Sequence, residues 1–218
     1  MRKLLTFILF CILLLPVHLA AQQELKLFRF FSIDLEWQTW QQKPGDVELE
    51  DALGRGVSIH VIQPLVRGQK RFWVVTGLGI SSTNIFNNVI MNYRLDLDGQ
   101  LPVLPDDVYR KNKLSLNYLE VPLHTTYRFR KDSARSLSVT LGVKGGFLID
   151  SHTKMKGNNG MIYKTKKLEA PNDYRYGVFA RIGNSRVHLY GYYALSTVFK
   201  EDYPDVNLFS VGLSYSGF

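Results

Sequence analysis

The sequence predicts an all-β fold, an eight-stranded antiparallel transmembrane β-barrel with short periplasmic turns and longer extracellular loops. Three observations predict it. Long segments alternate apolar and polar residues with a period of two, the connections between them alternate short and long, and aromatic residues gather near both ends of the apolar face.

The N-terminus sets the context. Arg2 and Lys3 precede an unbroken apolar run from Leu4 to Leu15, Pro16 ends it, and Ala20 and Ala21 offer a cleavage point, which is the pattern of a secretory signal peptide. The run is shorter than the roughly 20 residues a helical span needs. The expected organisation is therefore a signal peptide at 1–21 and an outer-membrane barrel domain at 22–218, with the outer membrane as destination. Cys11, inside the signal, is the only cysteine of the 218 residues. The exported chain then has no thiol, which excludes disulfides, cysteine nucleophiles and cysteine-held metals. The formal net charge of +8 suits anionic lipid or phosphorylated glycan, and export sets nucleic acid aside.

Eight strands follow from the alternation, at about 28–41, 53–65, 70–82, 114–129, 135–149, 173–183, 186–199 and 206–217. In the fourth, Leu119, Val121, Leu123, Thr125, Tyr127 and Phe129 share one face, and Glu120, Pro122, His124, Thr126 and Arg128 share the other. The fifth sets Leu137, Val139, Leu141, Val143, Phe147 and Ile149 against Ser138, Thr140, Gly142, Lys144 and Gly146. The first sets Phe31, Ile33, Leu35 and Trp37 against Ser32, Asp34, Glu36 and Gln38. The third is apolar on both faces, so its phase is not fixed by pattern.

Tight turns are expected at Arg67-Gly68, around Lys131-Asp132-Ser133 and at Gly183-Asn184-Ser185. Longer loops are expected near 42–52, 83–113 and 150–172, with a modest one around Glu201-Asp202-Tyr203-Pro204. All longer loops thus fall at one end, as in outer-membrane barrels. A secreted soluble barrel also alternates. Strands of about 13 residues exceed the globular average of roughly 5–6 and suffice for a tilted crossing. Phe31, Phe72, Tyr127 and Phe129 at the turn side, and Trp37, Phe147 and Tyr176 at the loop side, form the two interfacial girdles of a membrane barrel.

The segment Leu116-Asn117-Tyr118-Leu119-Glu120-Val121-Pro122-Leu123 resembles the "YLEIPL" strand of the PorT-like outer-membrane β-barrel family of Bacteroidetes. The C-terminal run from Leu208 to Phe218 is similar to that family's closing strand, although Phe218 lies on the opposite phase from Phe209, Val211, Leu213 and Tyr215. The resemblance implies a barrel in the outer membrane. It does not imply one activity, since some members are tied to type IX secretion and many have no assigned role.

Candidate site residues follow from the polar phase. Turning the fourth and fifth strands about Asp132 puts Glu120 opposite Lys144, an expected lumenal ion pair. Asp34, Glu36, His60, His124, Arg128 and Arg181 are expected in a lumenal polar network, with Arg175, Tyr190, Tyr192 and His188 on the same phase. An eight-stranded barrel filled by such groups leaves no substantial channel. Ser58-Ile59-His60 has the spacing of a Ser–His pair, as in lipid A-modifying barrels, but the pair faces the lumen and no orienting acid converges on it. No catalytic residue, cofactor or metal is expected. Asp96-Leu97-Asp98-Gly99 resembles the start of a calcium loop without the remaining ligands. Asp132-Ser133-Ala134 matches a short O-glycosylation pattern that occurs often by chance.

Lys154, Lys156, Lys164, Lys166 and Lys167 concentrate in the loop at 150–172. Their plain reading is a solvated loop, and their functional one is contact with lipopolysaccharide phosphates. Ile85, Phe86, Val89, Ile90 and Met91 are too apolar for a free loop: the strands extend, the segment folds over the barrel, or it docks another envelope protein. The expected function is a non-enzymatic outer-membrane protein contributing to envelope structure or to an assembly through its loops. An accessory component of a secretion machine is the alternative, and a lipid A-modifying enzyme the remote one.

Overall fold

The computed structural model describes residues 30–44, 47–50, 53–67, 71–90, 103–105, 108–129, 136–184, 186–201 and 203–217. The signal segment, the Asp96 motif, Lys131 to Ala134, Asp202 and Phe218 lie outside them.

Nine strands form one sheet: β1 (Phe31–Gln41), β2 (Arg55–Arg67), β3 (Phe72–Phe86), β4 (Tyr109–Arg128), β5 (Leu137–Gly157), β6 (Ile162–Lys166), β7 (Tyr174–Asn184), β8 (Val187–Thr197) and β9 (Asn207–Gly217). Neighbours follow the chain from β1 to β5, β7 pairs β5, and β9 pairs β1. Eight strands therefore close a ring. The ninth, β6, lies outside it and pairs only the far end of β5. All pairings are antiparallel.

The ring sorts its side chains by parity. Leu35, Ile59, Leu78, Ile80, Leu119, Leu123, Val143, Leu189 and Leu213 point outward and are exposed, and Leu141 reaches 62 % exposure. Ser32, Asp34, Ser58, His60, Glu120, His124, Lys144 and Arg181 alternate with them and are buried. This inverts a soluble barrel, which turns its apolar face inward. Ile33 shares the outward phase and is half-buried. In β3 the two-sided apolar pattern resolves with Val75 inside and Phe72, Leu78 and Ile80 outside.

Two prolines interrupt the ladders, because proline has no N–H to donate. At Pro64 the β2–β3 register slips by one residue before Val66. Beside Pro122 the β3–β4 register runs from Thr76↔Leu123 to Gly79↔Glu120 with no pairs between, and the Thr76 hydroxyl donates to the Pro122 carbonyl at 2.9 Å.

At the loop end the strands outrun the expected boundaries. β3 continues to Phe86, β4 starts at Tyr109 and β5 runs to Gly157. The expected loop at 83–113 is thus partly strand, and the expected loop at 150–172 is largely a hairpin. Its turn closes with the Gly157 N–H on the Met161 carbonyl at 2.9 Å, and Gly160 takes φ +82°, where a Cβ would be strained.

Inside this extension lies an apolar core. Trp40, Val47, Ile85, Val89, Leu114, Leu116, Leu168, Val198, Phe199, Val206 and Leu208 are buried together. Trp40 meets Phe199 edge to face at 5.4 Å between centroids. Asparagines tie the covering segments down. Asn112 donates to the Val89 carbonyl at 2.8 Å, and the Asn88 side chain accepts the Glu48 N–H at 3.0 Å. Ile85 and Val89 therefore belong to the core that closes the barrel mouth as its cap, whereas Phe86 stays on the outward phase of β3.

Candidate functional site: the filled lumen and the basic outer face

The lumen below the cap is organised around Glu120, at the centre of β4 and 1 % exposed. The Arg175 guanidinium donates to one carboxylate oxygen at 2.7 Å, while Lys144 Nζ and His60 Nε2 lie 3.2 Å from the other. Arg175 also donates to Ser81 at 2.7 Å and Thr83 at 2.8 Å, so two strands, β3 and β4, hold the guanidinium that β7 supplies. A second centre is Asp34, which accepts two bonds from Arg181 at 2.9 and 3.1 Å. His60 Nδ1 stands 3.9 Å from Asp34 and links the two centres. Glu36 accepts from Ser58 at 2.8 Å and from Gln38 at 2.9 Å.

The charges balance. Asp34, Glu36 and Glu120 face Lys144, Arg175 and Arg181, all buried. An isolated charge at this depth would cost several kcal/mol, and pairing with completed hydrogen bonds is the arrangement that tolerates it. Aromatic faces complete the shell: Lys144 lies 4.3 Å from the Tyr192 ring centre, Arg175 4.2 Å from Tyr118 and Arg181 4.8 Å from Phe179. Glycine makes the room. At Gly146, directly across from Glu120, a Cβ would sit 2.9 Å from the glutamate Cγ and 3.0 Å from the Leu119 carbonyl.

The register corrects one expectation. Glu120 pairs with Gly146, and Lys144 pairs with Pro122. The β4–β5 turn is therefore centred one residue later than Asp132. A centre moved by one shifts pairing by two, which preserves parity, so both side chains remain inside. Lysine's length spans the diagonal.

The other expected network residues are divided. Asp34, His60 and Arg181 join one connected set, whereas Glu36 is bonded to Ser58 and Gln38 beside it. His124 packs edge to face on Phe179 at 5.6 Å. Arg128 lies at the turn end, 4.7 Å from the Trp73 ring centre and half-buried, away from Asp34 and Glu36. His188 meets Ser138 at 3.1 Å and Ser216 at 3.4 Å. The Ser58–His60 pair is enclosed, with its hydroxyl given to Glu36 and its imidazole turned to Glu120. Among the described residues no group of three or more His, Cys, Asp and Glu could hold a metal ion. Sequence reasoning did not connect Glu120 to Arg175 or see its Ser81 and Thr83 anchors. Only the registers of β3, β4, β5 and β7 bring them together.

A cavity of about 10 Å³ remains between network and cap, bounded by Trp40, Tyr118, Arg175 and Leu208 among others. That is room for about one water molecule.

Outside, above the apolar band, the lysines of the expected loop stand on strands. Lys154 pairs with Lys164 and Lys156 with Ile162 across β5–β6, and His152 with Lys166. Lys167 follows at φ 57°, where the chain turns back. Asp150 is held below the usual carboxylate range chiefly by its hydrogen bond with His152, at 2.9 Å.

A closed antiparallel ring with an apolar exterior, a charged and filled interior and all long connections at one end defines an outer-membrane β-barrel protein of bacteria. The sequence model of the outer membrane protein β-barrel domain family matches residues 57–214, and the chain belongs to that family. Among solved structures it is similar to the attachment invasion locus protein Ail of Yersinia pestis, at 11 % identity over 86 % of this chain and 96 % of that one, with a TM-score of 0.37. It is also similar to Neisserial surface protein A, at 12 % identity over 87 % and 96 %, with a TM-score of 0.39. The N-terminal barrel domain of Pseudomonas aeruginosa OprF matches at 9 % identity over 86 % and 97 %, with a TM-score of 0.28. No curated protein matches the chain.

Proposed function

We propose that the chain is a non-enzymatic outer-membrane protein, exported by a signal peptide at 1–21, that serves envelope structure or a membrane assembly through its extracellular end. The observation that carries this reading is the blocked interior. Among the described residues a self-neutralised ionic network fills the mid-lumen and an apolar core closes the mouth, with no open route for a solute past them, which turns the functional burden to the outer surface. The enclosed Ser58 and His60 favour a non-enzymatic role, since neither can reach a lipid. An envelope protein docked at the segment 83–113 fits the exposed Val103, which bridges Val89 of that core, and the exposed Val108, whose carbonyl meets Asn158 at the β5–β6 turn.

The second reading is an accessory component of a type IX-like secretion machine, suggested by the PorT-like resemblance of Leu116–Leu123. That segment also has a purely architectural explanation, because Glu120 centres the network while Leu119, Val121 and Leu123 face lipid. Affinity purification of the full chain from outer membranes in mild detergent separates the readings. Substoichiometric or no co-purifying protein supports a structural envelope role, a stoichiometric envelope protein lost on Val103→Asp and Val108→Asp supports the assembly, and a set of secretion subunits selects the second reading.

A further inference from the structure

The registers assemble a surface that the strand-by-strand pattern hides. Opposed residues of a sheet share a face. Lys113 pairs with Lys154, which pairs with Lys164, and one row further out Lys111 pairs with Lys156. One row nearer the membrane, Ser115, His152 and Lys166 form the next rank. Lys111, Lys113, Lys154, Lys156, Lys164 and Lys166 therefore occupy one face of the three-stranded extension β4–β5–β6. Neighbouring strands are roughly 5 Å apart and successive ranks about 7 Å.

This face continues the outward wall of the barrel. On β4 it shares the parity of Leu119, Val121 and Leu123, and the β5–β6 part keeps that side because one extra residue in β5, between Leu148 and Asp150, resets the phase. Moving up β4 from Leu119, the top of the apolar band, Ser115 lies four residues on and Lys113 six. That is about 13 and 20 Å along the strand, or roughly 10 and 15 Å above the band at the tilt of such barrels. Lysine side chains reach further down from there.

Six like charges so close call for a counter-charge, and the protein supplies little. Among the described residues no carboxylate lies within ion-pair distance of any of the six. Asp150, two ranks below Lys113 and Lys154, is hydrogen-bonded by His152 and Asn117, and of the six lysines it is Lys166 whose charge reaches it. Glu50 stands beyond Phe86, on the far side from Lys113. Lys113 lies above the membrane-spanning part of β4. It donates to Asn84 at 2.9 Å, and burial, then the charges of Lys154 and Lys164, lower its pKa.

We infer that this lysine face is a binding site for the phosphorylated headgroups of outer-leaflet glycolipid. The inference rests on the outer-membrane reading above and gives the extracellular end a ligand. Headgroup phosphates are the anions that stand laterally against a barrel wall just above its apolar band, and lysine ammoniums meet them as point charges. Acyl chains packed on Leu119 and Phe147 would bring those phosphates to the face, so lipid should bind far better than a free anion.

The test uses the full chain folded in neutral detergent and a fluorescent bisphosphorylated lipid A, with dephosphorylated lipid A and inorganic pyrophosphate as the other probes. Bisphosphorylated lipid A should bind, dephosphorylated lipid A should bind at least about tenfold more weakly, and pyrophosphate should compete only at far higher concentration. Replacing Lys113, Lys154 and Lys164 together by Gln should weaken binding by about 10- to 100-fold. Arg71→Gln with Arg186→Gln, two cations exposed at the opposite end, should leave it unchanged. The unboiled gel mobility of each variant reports that the barrel has folded. Equal binding of dephosphorylated lipid, equal competition by pyrophosphate, or full binding by the folded triple variant would each overturn the proposal. Co-purification results bear on the assembly reading and are independent of these outcomes.

Discussion

Glu120 is the residue on which the interior depends, because it alone accepts from both Arg175 and Lys144. Glu120→Gln strands two buried cations and should destabilise the barrel by about 3–5 kcal/mol, read from urea unfolding in lipid vesicles. Lys144→Met should cost less, since Arg175 still satisfies the carboxylate. The double variant should be strongly non-additive, with a coupling of about 1–3 kcal/mol. Additive effects would mean the pair does not interact. Gly146→Val tests the same site by volume. A side chain there meets Glu120 and should lower stability nearly as much as the charge change, whereas Gly145→Val, which meets nothing within 4 Å, should be close to neutral. The inward placement of these charges was legible from parity alone. The Glu120–Lys144 pair was legible too, from the turn between their strands, although the register differs by two. The second partner was not: Arg175 lies 55 positions from Glu120 and meets it only through the ring.

At the scale of elements, period-two alternation located every strand of the ring, and all but the loop-end boundaries of β4 and β5 within a few residues, because one face meets lipid and the other a polar interior. It failed where both faces change character. Above the band, Lys154, Thr153 and Met155 alternate charge with partial burial, which reads as a loop until β6 supplies the opposing strand. The breaker cluster gave the β4–β5 turn without its centre, and a one-residue error there moved the register by two. Because β6 lies outside the ring, removing residues 154–164 and joining Thr153 to Thr165 through Asn-Gly should leave a folded barrel. The truncated chain should keep the mobility difference between boiled and unboiled samples. Loss of that difference would make the hairpin part of the folding unit. Within the ring, Leu141→Arg places a charge on the lipid face and should cost roughly 2–4 kcal/mol near the midplane. A neutral effect would mean that the wall is turned inside out.

The whole molecule is a closed wall around a solid interior, with its long connections gathered into a capped and basic extracellular end. Reconstituted in planar bilayers it should show no sustained conductance steps, and open-pore currents would contradict the filled lumen. The architecture turns on which parts of this wall face lipid, the cell exterior and the periplasm. Single cysteines report it directly, because Cys11 is the chain's only thiol and Cys11→Ser provides a clean background. In intact cells, a membrane-impermeant maleimide should label Lys164→Cys at once. It should label Arg186→Cys only after the outer membrane is permeabilised, and Leu141→Cys only after denaturation. Immediate labelling of Leu141→Cys, or labelling of Arg186→Cys before Lys164→Cys, would contradict the account.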